Sequence, residues 1–304
     1  MGILVAMKLR SVCWISLLAL ACSATSGPEV PPGAVGPGSG SGSGTGGRQN
    51  IDTAAGGTDI VVEDPPEEDC DNVLPVVVRD FSSTHPDFER QDTSGDEVRR
   101  QLLAAQIGPD RKPVFADAIG CPWEPTTPLG CVDYNWLTVT SLTTTENFDQ
   151  WYRDDPSVNY TFDKELVLTE TPPGSGIYVY DDSSFFPLDV SEGWGESSQA
   201  AGVQRNFHFT TELHLQFTYL AGQKFTFRGD DDLWIFVNGW LALDLGGMHR
   251  PSEGTIDFDA QAAELGITRN AAYSMDIFHA ERHTAESNFR IETNISCFVP
   301  VEIR

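Results

Sequence analysis

Positive charge is what this chain has least of. Nineteen Lys and Arg face 45 Asp and Glu over 304 residues, a formal net charge of −26 at pH 7. Recognition of a phosphate backbone needs basic side chains that displace its counterions, so a nucleic-acid partner is excluded. A membrane-spanning run is missing too: the apolar stretch from Val12 to Ala21 falls well short of the roughly 20 residues a helix needs to cross a bilayer. The common catalytic and metal signatures are absent, among them the GxxxxGK(S/T) phosphate loop, the GxSxG nucleophile elbow, HExxH and CxxC. Carboxylate pairs for glycoside hydrolysis can be drawn from many acidic residues, but no spacing singles any out. Nothing here reads as an enzyme.

What the N-terminus does have is an export signal. Lys8 and Arg10 form a positive start, and Val12 to Ala21 a short apolar run. The run ends Leu18-Ala19-Leu20-Ala21-Cys22, which resembles a bacterial lipoprotein box with Cys22 as the lipidated residue. Residues 1–21 are therefore read as a lipoprotein-type signal peptide. The protein is expected to be exported and held at a bacterial outer membrane or cell surface by the lipid alone, or else secreted after cleavage near Ala21. Cys13 leaves with the signal, so Cys70, Cys121, Cys131 and Cys297 remain as an even set, which in an exported chain reads as two disulfides. Cys121 and Cys131 enclose a Pro/Gly-rich turn and form the natural local pair. Cys70 and Cys297 lie at the two ends of the folded region, where a bridge would staple it.

Residues 22–72 hold no periodic apolar pattern. A Gly/Ser tract runs from Gly36 to Gly47, and an acidic, Pro-containing run follows from Glu63 to Asp71. Such a segment buries too little apolar area to offset its ordering entropy, so it reads as a flexible tether reaching about 40 Å. Residues 73–304 change texture to short apolar runs bounded by Gly, Pro, Asp and Asn. Many short strands with turn signals between them predict a mainly β fold, a sandwich or barrel. Strands are expected at Leu74–Arg79, Lys164–Thr169, Asn206–Thr210, Leu213–Tyr219, Leu233–Val237 and Tyr273–Glu281, among others. Asn238-Gly239 is the strongest hairpin turn. Short helices are expected after a Ser94/Glu97 capping box, around Phe148, Trp151 and Tyr152, and over Ala260–Leu265 behind a cap at Asp259.

The densest chemical signal is Asp230-Asp231-Asp232 between the apolar runs Phe225–Phe227 and Leu233–Val237. Adjacent carboxylates repel unless solvated or bound to a cation, and calcium takes its six to eight ligands from such oxygens. A solvated acidic loop is the plain alternative. Trp240, just past the turn at Asn238, is placed to stack on a sugar ring, whereas Trp234 belongs in the core. His279, Glu281 and His283 alternate, share a strand face and could take a transition metal.

Several stretches resemble the fibro-slime domain, a branch of the protective-antigen-type β-sandwich superfamily. They are Val78-Arg79-Asp80-Phe81 with His85-Pro86-Asp87-Phe88-Glu89, then Trp151-Tyr152, and Phe185-Phe186-Pro187-Leu188. The match is strongest over Phe227–His249 and at Asp276-Ile277-Phe278-His279-Ala280-Glu281-Arg282-His283 with Ser287-Asn288-Phe289, and it covers roughly residues 74–298. The resemblance implies an antiparallel, jelly-roll-like β-sandwich. In lectin members two consecutive aspartates joined by a cis peptide ligate calcium, and a distant asparagine completes the site. By the resemblance those aspartates are Asp230 and Asp231, with Asp231-Asp232 as a shifted register. Asn288 is then the distal asparagine, and Asp244 a further ligand or a structural partner. The expected function is a surface-displayed, calcium-dependent module that binds a glycan or an extracellular-matrix polymer. A structural surface domain with a fold-stabilising calcium, and an accessory domain of extracellular glycan degradation, are the rivals.

Overall fold

Strand alternation decides which residues of this chain meet. The computed structural model describes residues 70, 72–89, 98–116, 120–122, 141–195, 198–200, 202–283 and 286–303. Strands β1 (Val73–Phe81), β2 (Arg99–Arg100) and β3 (Cys121–Pro122) precede helix α1 (Thr145–Asp149). Next come β4 (Asn159–Val167), β5 (Thr169–Glu170), β6 (Tyr178–Asp182), β7 (Ser198–Ala200) and β8 (Val203–Arg205). The central run is β9 (Phe209–Thr218), β10 (Lys224–Gly229), β11 (Asp232–Val237), β12 (Trp240–Leu245) and β13 (Ser252–Asp257). Helix α2 (Phe258–Leu265), β14 (Ala272–Glu281), β15 (Phe289–Thr293) and β16 (Val299–Pro300) close the chain. One sheet runs β12–β11–β14–β9–β1–β4, with β16 also on β9; the other runs β13–β10–β15–β6–β5. The pairings are antiparallel, and the two sheets pack face to face as a β-sandwich.

The interior follows from the two-residue period. Leu74, Val76 and Val78 of β1, Leu213, Leu215 and Phe217 of β9, and Met275 and Ile277 of β14 fill the space between the sheets with Phe225, Phe227, Phe289 and Ile291. The opposite face of the larger sheet is buried as well. Trp234, Phe236, Phe278 and Ala280 pack there against Phe81, Leu102, Phe115, Phe148, Trp151 and Tyr152. Burial on both faces explains why β9 reads as nearly continuous burial rather than simple alternation.

That second face also holds a charged network. Arg79 Nη1 donates to Glu212 Oε2 at 2.6 Å, and Lys112 pairs with Glu212 Oε1. The His214 ring lies between two carboxylates, Nε2 2.5 Å from Glu212 Oε1 and Nδ1 2.6 Å from Asp276 Oδ1. Burial alone would raise Glu212, but the His214 hydrogen bond and the Arg79 charge outweigh it and hold the carboxyl at about 2. Burial opposes protonation of His214, yet the bonds to Asp276 and Glu212 raise it above its ordinary 6.5. The signs are opposite on the two limbs of a pH profile. Glu212 contributes stability above its ordinary 4.5 that is lost as pH falls toward 2. His214 contributes stability below 6.5 that is lost as pH rises through its folded value. Urea midpoints are expected to peak in mildly acidic buffer. Glu212→Gln should flatten the acid limb, by up to about 3 kcal/mol between pH 4.5 and 2. An acid limb identical to wild type would remove Glu212 from this role.

Local expectations fare unevenly. The Asn238-Gly239 turn forms, with φ of 51° and 77°, and joins β11 to β12. Helix α1 carries Phe148 inward, and the Thr144 side chain caps it by accepting from Asn147 N. Helix α2 is capped by Asp257 rather than Asp259, and Gly266 ends it in the left-handed region. The two strands expected at Asn206–Thr210 and Leu213–Tyr219 form one continuous strand, β9. No helix follows Val98: Arg99–Arg100 is β2, because Arg99 N donates to Gly246 O and the backbone is drawn to the end of β12. Ser94 and Glu97 lie outside the described residues.

Cys70 and Cys297 are bridged, with Cα atoms 4.8 Å apart across a sequence separation of 227. The expected Cys121–Cys131 bridge, the Cys22 anchor, the signal segment and nearly all of the tether lie outside the described residues. Among the described residues no helix is long and apolar enough to cross a membrane.

Candidate functional site

Three connections that carry the chain from one sheet to the other converge at one end of the sandwich. Residues 230–231 join β10 to β11, residues 246–251 join β12 to β13, and residues 282–288 join β14 to β15. The consecutive aspartates fasten these corners together. Asp230 accepts at Oδ1 from Asn288 N (2.5 Å) and at Oδ2 from Asn288 Nδ2 (2.7 Å). Asp231 Oδ2 accepts from the N–H groups of Arg282 (2.7 Å) and His283 (2.9 Å). Asp232 Oδ1 accepts from Gly247 N at 2.6 Å, and its Oδ2 from Arg282 Nε. The corners demand unusual backbone. Asp231 sits at φ 54°, strain that persists only where surroundings over-determine it. Gly229 has no room for a side chain, since a Cβ would lie 2.8 Å from Asn288 O.

All three aspartates are buried. Burial raises Asp230 against the Asn288 bonds, and it pushes Asp231 up to about 7 despite the nearby Arg282 charge. Both hydrogen bonds that Asp231 accepts fall on Oδ2, which leaves Oδ1 for another partner. The Arg282 guanidinium is committed to Asp232, to Asp87 O and to Ser141.

The structure brings Asp230, Asp231, Asp232 and Asn288 together and leaves the other expected residues elsewhere. Asp244 accepts from Gln101 N (2.8 Å), Trp234 Nε1 (3.1 Å) and Gly246 N (3.3 Å), a structural set of partners. Burial pushes its carboxyl up to about 6. Asn238 and Trp240 sit at the far end of β11 from Asp232, a six-residue strand or about 20 Å away. Asn238 Nδ2 donates to Leu265 O, at the end of α2, and Trp240 is exposed. A small glycan cannot touch both the acidic corner and Trp240. The cis Asp230–Asp231 peptide implied by the lectin resemblance is not present: among the described residues the cis bond is Thr171-Pro172, and the strain at the aspartates lies in φ instead.

Sequence reading named Glu281 only as one of the His279, Glu281 and His283 trio and missed that it is fully buried. It ends β14 on the face that sends Met275, Ile277 and His279 between the sheets. The alternation carried the signal: a glutamate in register with core positions is out of place. It is fully buried, neither carboxylate oxygen makes a hydrogen bond of ordinary geometry, and burial with the charges of Asp231 and Asp230 pushes it well up against the opposing pull of the nearby Ser287 hydroxyl and His283 N–H. His279 is also fully buried, with Nε2 unpartnered, and burial among Phe185, Phe209, Phe227 and Phe289 lowers it to about 3. His283 lies past the strand end, its Nε2 3.5 Å from Glu89 Oε2. The trio therefore does not share one open metal face.

Among the described residues no group of three or more His, Cys, Asp and Glu side chains is gathered into a ready metal shell. Asp230, Asp231 and Glu281 do act on one another's charge, while the aspartate oxygens are aimed at separate donors. Oxygen is the donor type a hard cation such as calcium takes, but both Asp230 oxygens are engaged by Asn288 and the Arg282 charge lies beside Asp231, so these side chains form no ready metal shell.

Fold and corner together define a two-sheet β-sandwich module with an acidic junction at one end. No family model matches the chain. It is 34% identical over 227 residues to Protein psiR of Dictyostelium discoideum, covering 72% of this chain and 20% of that protein. It is 33% identical over 220 residues to Protein psiC (70% and 38%) and 34% identical over 229 residues to Protein psiD (74% and 41%), both of the same organism. The chain thus spans about a fifth to two fifths of the length of these relatives. They are eukaryotic proteins, so the similarity does not carry the bacterial setting that the Cys22 motif suggested.

Proposed function

We propose that this chain is a fibro-slime-like, surface-displayed module that binds a glycan or an extracellular-matrix polymer with the help of calcium. One observation carries the reading: two buried aspartates, Asp230 and Asp231, meet at the sheet-to-sheet corner with N–H donors but with no ion pair among the described residues. The N-terminal run and the Gly/Ser tether support export and display away from the surface, and the Leu-Ala-Leu-Ala-Cys sequence supports a lipid on Cys22. A second reading has its own support. The aspartates stitch three corners, so the cation can serve the fold without touching a ligand.

Calorimetry of the mature protein with calcium, followed by glycan-array binding with and without chelator, separates these readings. A ligand that binds only the native state adds RT ln(1 + [L]/Kd), about 2.7 kcal/mol at a hundredfold excess over Kd. Calcium is therefore expected to raise the melting temperature by several degrees. Asp231→Asn should blunt that shift, Asn288→Ala should weaken it less, and magnesium should substitute poorly. Glycan binding abolished by chelator supports the lectin reading. A calcium shift without glycan binding favours the structural one, and equal melting curves in calcium and chelator reject both.

A further inference from the structure

Among the described residues three aromatic side chains are exposed, Tyr160, Trp194 and Trp240. Trp240 lies past the far end of β11, but the other two touch, edge to face, with ring centroids 5.3 Å apart. Strand register fixes where that pair sits. Tyr160 of β4 is partnered by Asp80 of β1, Asp80 by Phe209 of β9, and Phe209 by Glu281 of β14. Tyr160 and Glu281 therefore stand in one row across the larger sheet, three strand spacings or about 14 Å apart. The next residue of β14's corner, Arg282, is where Asp231 takes its first N–H. The aromatic pair and the acidic junction share one end of the sandwich.

Trp194 is fastened by its polar atoms. Its backbone N–H donates to Asp80 Oδ2 at 2.5 Å, and the indole Nε1 donates to Val158 O at 3.2 Å. Gly193 permits that approach: it sits at φ 61° and has no room for a Cβ against Asp80. On the same turn Glu192 pairs with Lys164 of β4 at 3.0 Å. An indole whose N–H is already served offers its π face alone, and a ring held in place loses little freedom on binding. Area limits what can cover the pair. With Tyr160 43% and Trp194 40% exposed, the two rings offer about 200 Å² at most, against the roughly 800 Å² per partner of a stable protein interface. The apolar C–H face of a sugar ring is of that size. Charge narrows the class further: the turn brings Asp189 and Glu192, Lys164 is spent on Glu192, and the chain carries −26, so an acidic glycan is repelled. Glu89 and His283, both partly exposed beside the β14–β15 corner, are polar side chains for sugar hydroxyls along the same end.

We propose that Tyr160 and Trp194 form the stacking platform for one sugar ring of a neutral glycan that runs along the acidic end of the sandwich. This rests on the glycan part of the reading above and not on its cation part.

The test titrates the mature protein, in calcium and in chelator, with cellohexaose and chitohexaose as neutral probes, any tighter neutral glycan found on an array, and polygalacturonate as an acidic probe. Trp194→Ala and Tyr160→Ala are each expected to weaken the neutral probe roughly tenfold or more. Trp194→Phe, which keeps a ring, should retain most of the affinity, and the change in tryptophan fluorescence on binding should vanish in it. Unchanged affinity in both alanine variants overturns the proposal while leaving the glycan reading intact. A loss that follows Trp240→Ala instead does the same. A loss in Trp194→Ala that comes with a lowered melting temperature and is not recovered by phenylalanine assigns Trp194 to the fold and overturns its stacking role. If Trp194→Ala does not fold, Tyr160→Ala, on the exposed edge strand, decides by the same criterion. Polygalacturonate bound as tightly as the neutral probes overturns the neutral class. Wild-type protein that binds no neutral glycan defeats this inference and the glycan reading together. Binding that needs both rings but ignores chelator upholds the platform and defeats only the calcium part of that reading.

Discussion

Removing the Cys70–Cys297 bridge is expected to lower the melting temperature by roughly 10–20 °C. The bridge joins residues 227 apart, so it closes nearly the whole folded region into one loop. In the chain-entropy account, a loop of that length removes enough unfolded-state freedom to stabilise by about 5 kcal/mol, near the top of the observed range. For a domain of this size each kcal/mol moves the transition by about 2–4 °C. Position adds to the argument. Cys70 lies just ahead of β1 in the larger sheet, and Cys297 follows β15 of the smaller one. Calorimetric melting of a Cys70→Ser/Cys297→Ser double variant against oxidised wild type measures the effect. A difference below a few degrees would mean that the termini are held by packing alone.

Arg282→Ala is expected to destabilise the fold by about 3–5 kcal/mol, as removal of one partner from a buried ion pair does. The guanidinium is fully buried. Its Nη1 donates to Asp87 O and Ser141 O at 3.0 Å each, Nη2 donates to Ser141 Oγ at 2.8 Å, and Nε pairs with Asp232. It also lies 5.1 Å from the Trp151 ring centroid. Truncation strands the Asp232 charge and two carbonyls at once. Lysine should rescue little, because a single ammonium cannot reproduce the planar fork that reaches three residues. Urea unfolding with an unchanged denaturant slope reports the loss. Asp232→Asn placed on top of Arg282→Ala should recover part of it, and a loss under 1 kcal/mol for the single variant would show that water takes the guanidinium's place.

The β class, the Asn238-Gly239 hairpin, the helix around Phe148 and the importance of Asp230-Asp231-Asp232 were legible in the chain, because each depends on residues within one turn or one strand. The meaning of the aspartates was not. As a sequence they read as one calcium loop, yet each fastens a different backbone stretch: Asn288, Arg282–His283 and Gly247. Those partners come from corners up to 58 residues away, and only the pairing of β11 with β14 and β12 sets them side by side. Asp244 and Trp240 show the same limit in reverse. Both looked close to the acidic run in sequence, but strand geometry carries Trp240 to the far end and gives Asp244 to Gln101 and Trp234.

Local chemistry in the chain thus determined the strand-rich architecture, the turn at Asn238 and the acidic charge that needs an answer. Cysteine placement at the two ends of the folded region made the Cys70–Cys297 staple plausible, and proximity in the fold made it real. Tertiary structure alone decided that Glu281 is fully buried and feels the charges of Asp231 and Asp230. The physical reason is that burial and hydrogen-bond satisfaction are properties of surroundings, and here the surroundings are assembled from corners of two sheets that no local pattern records.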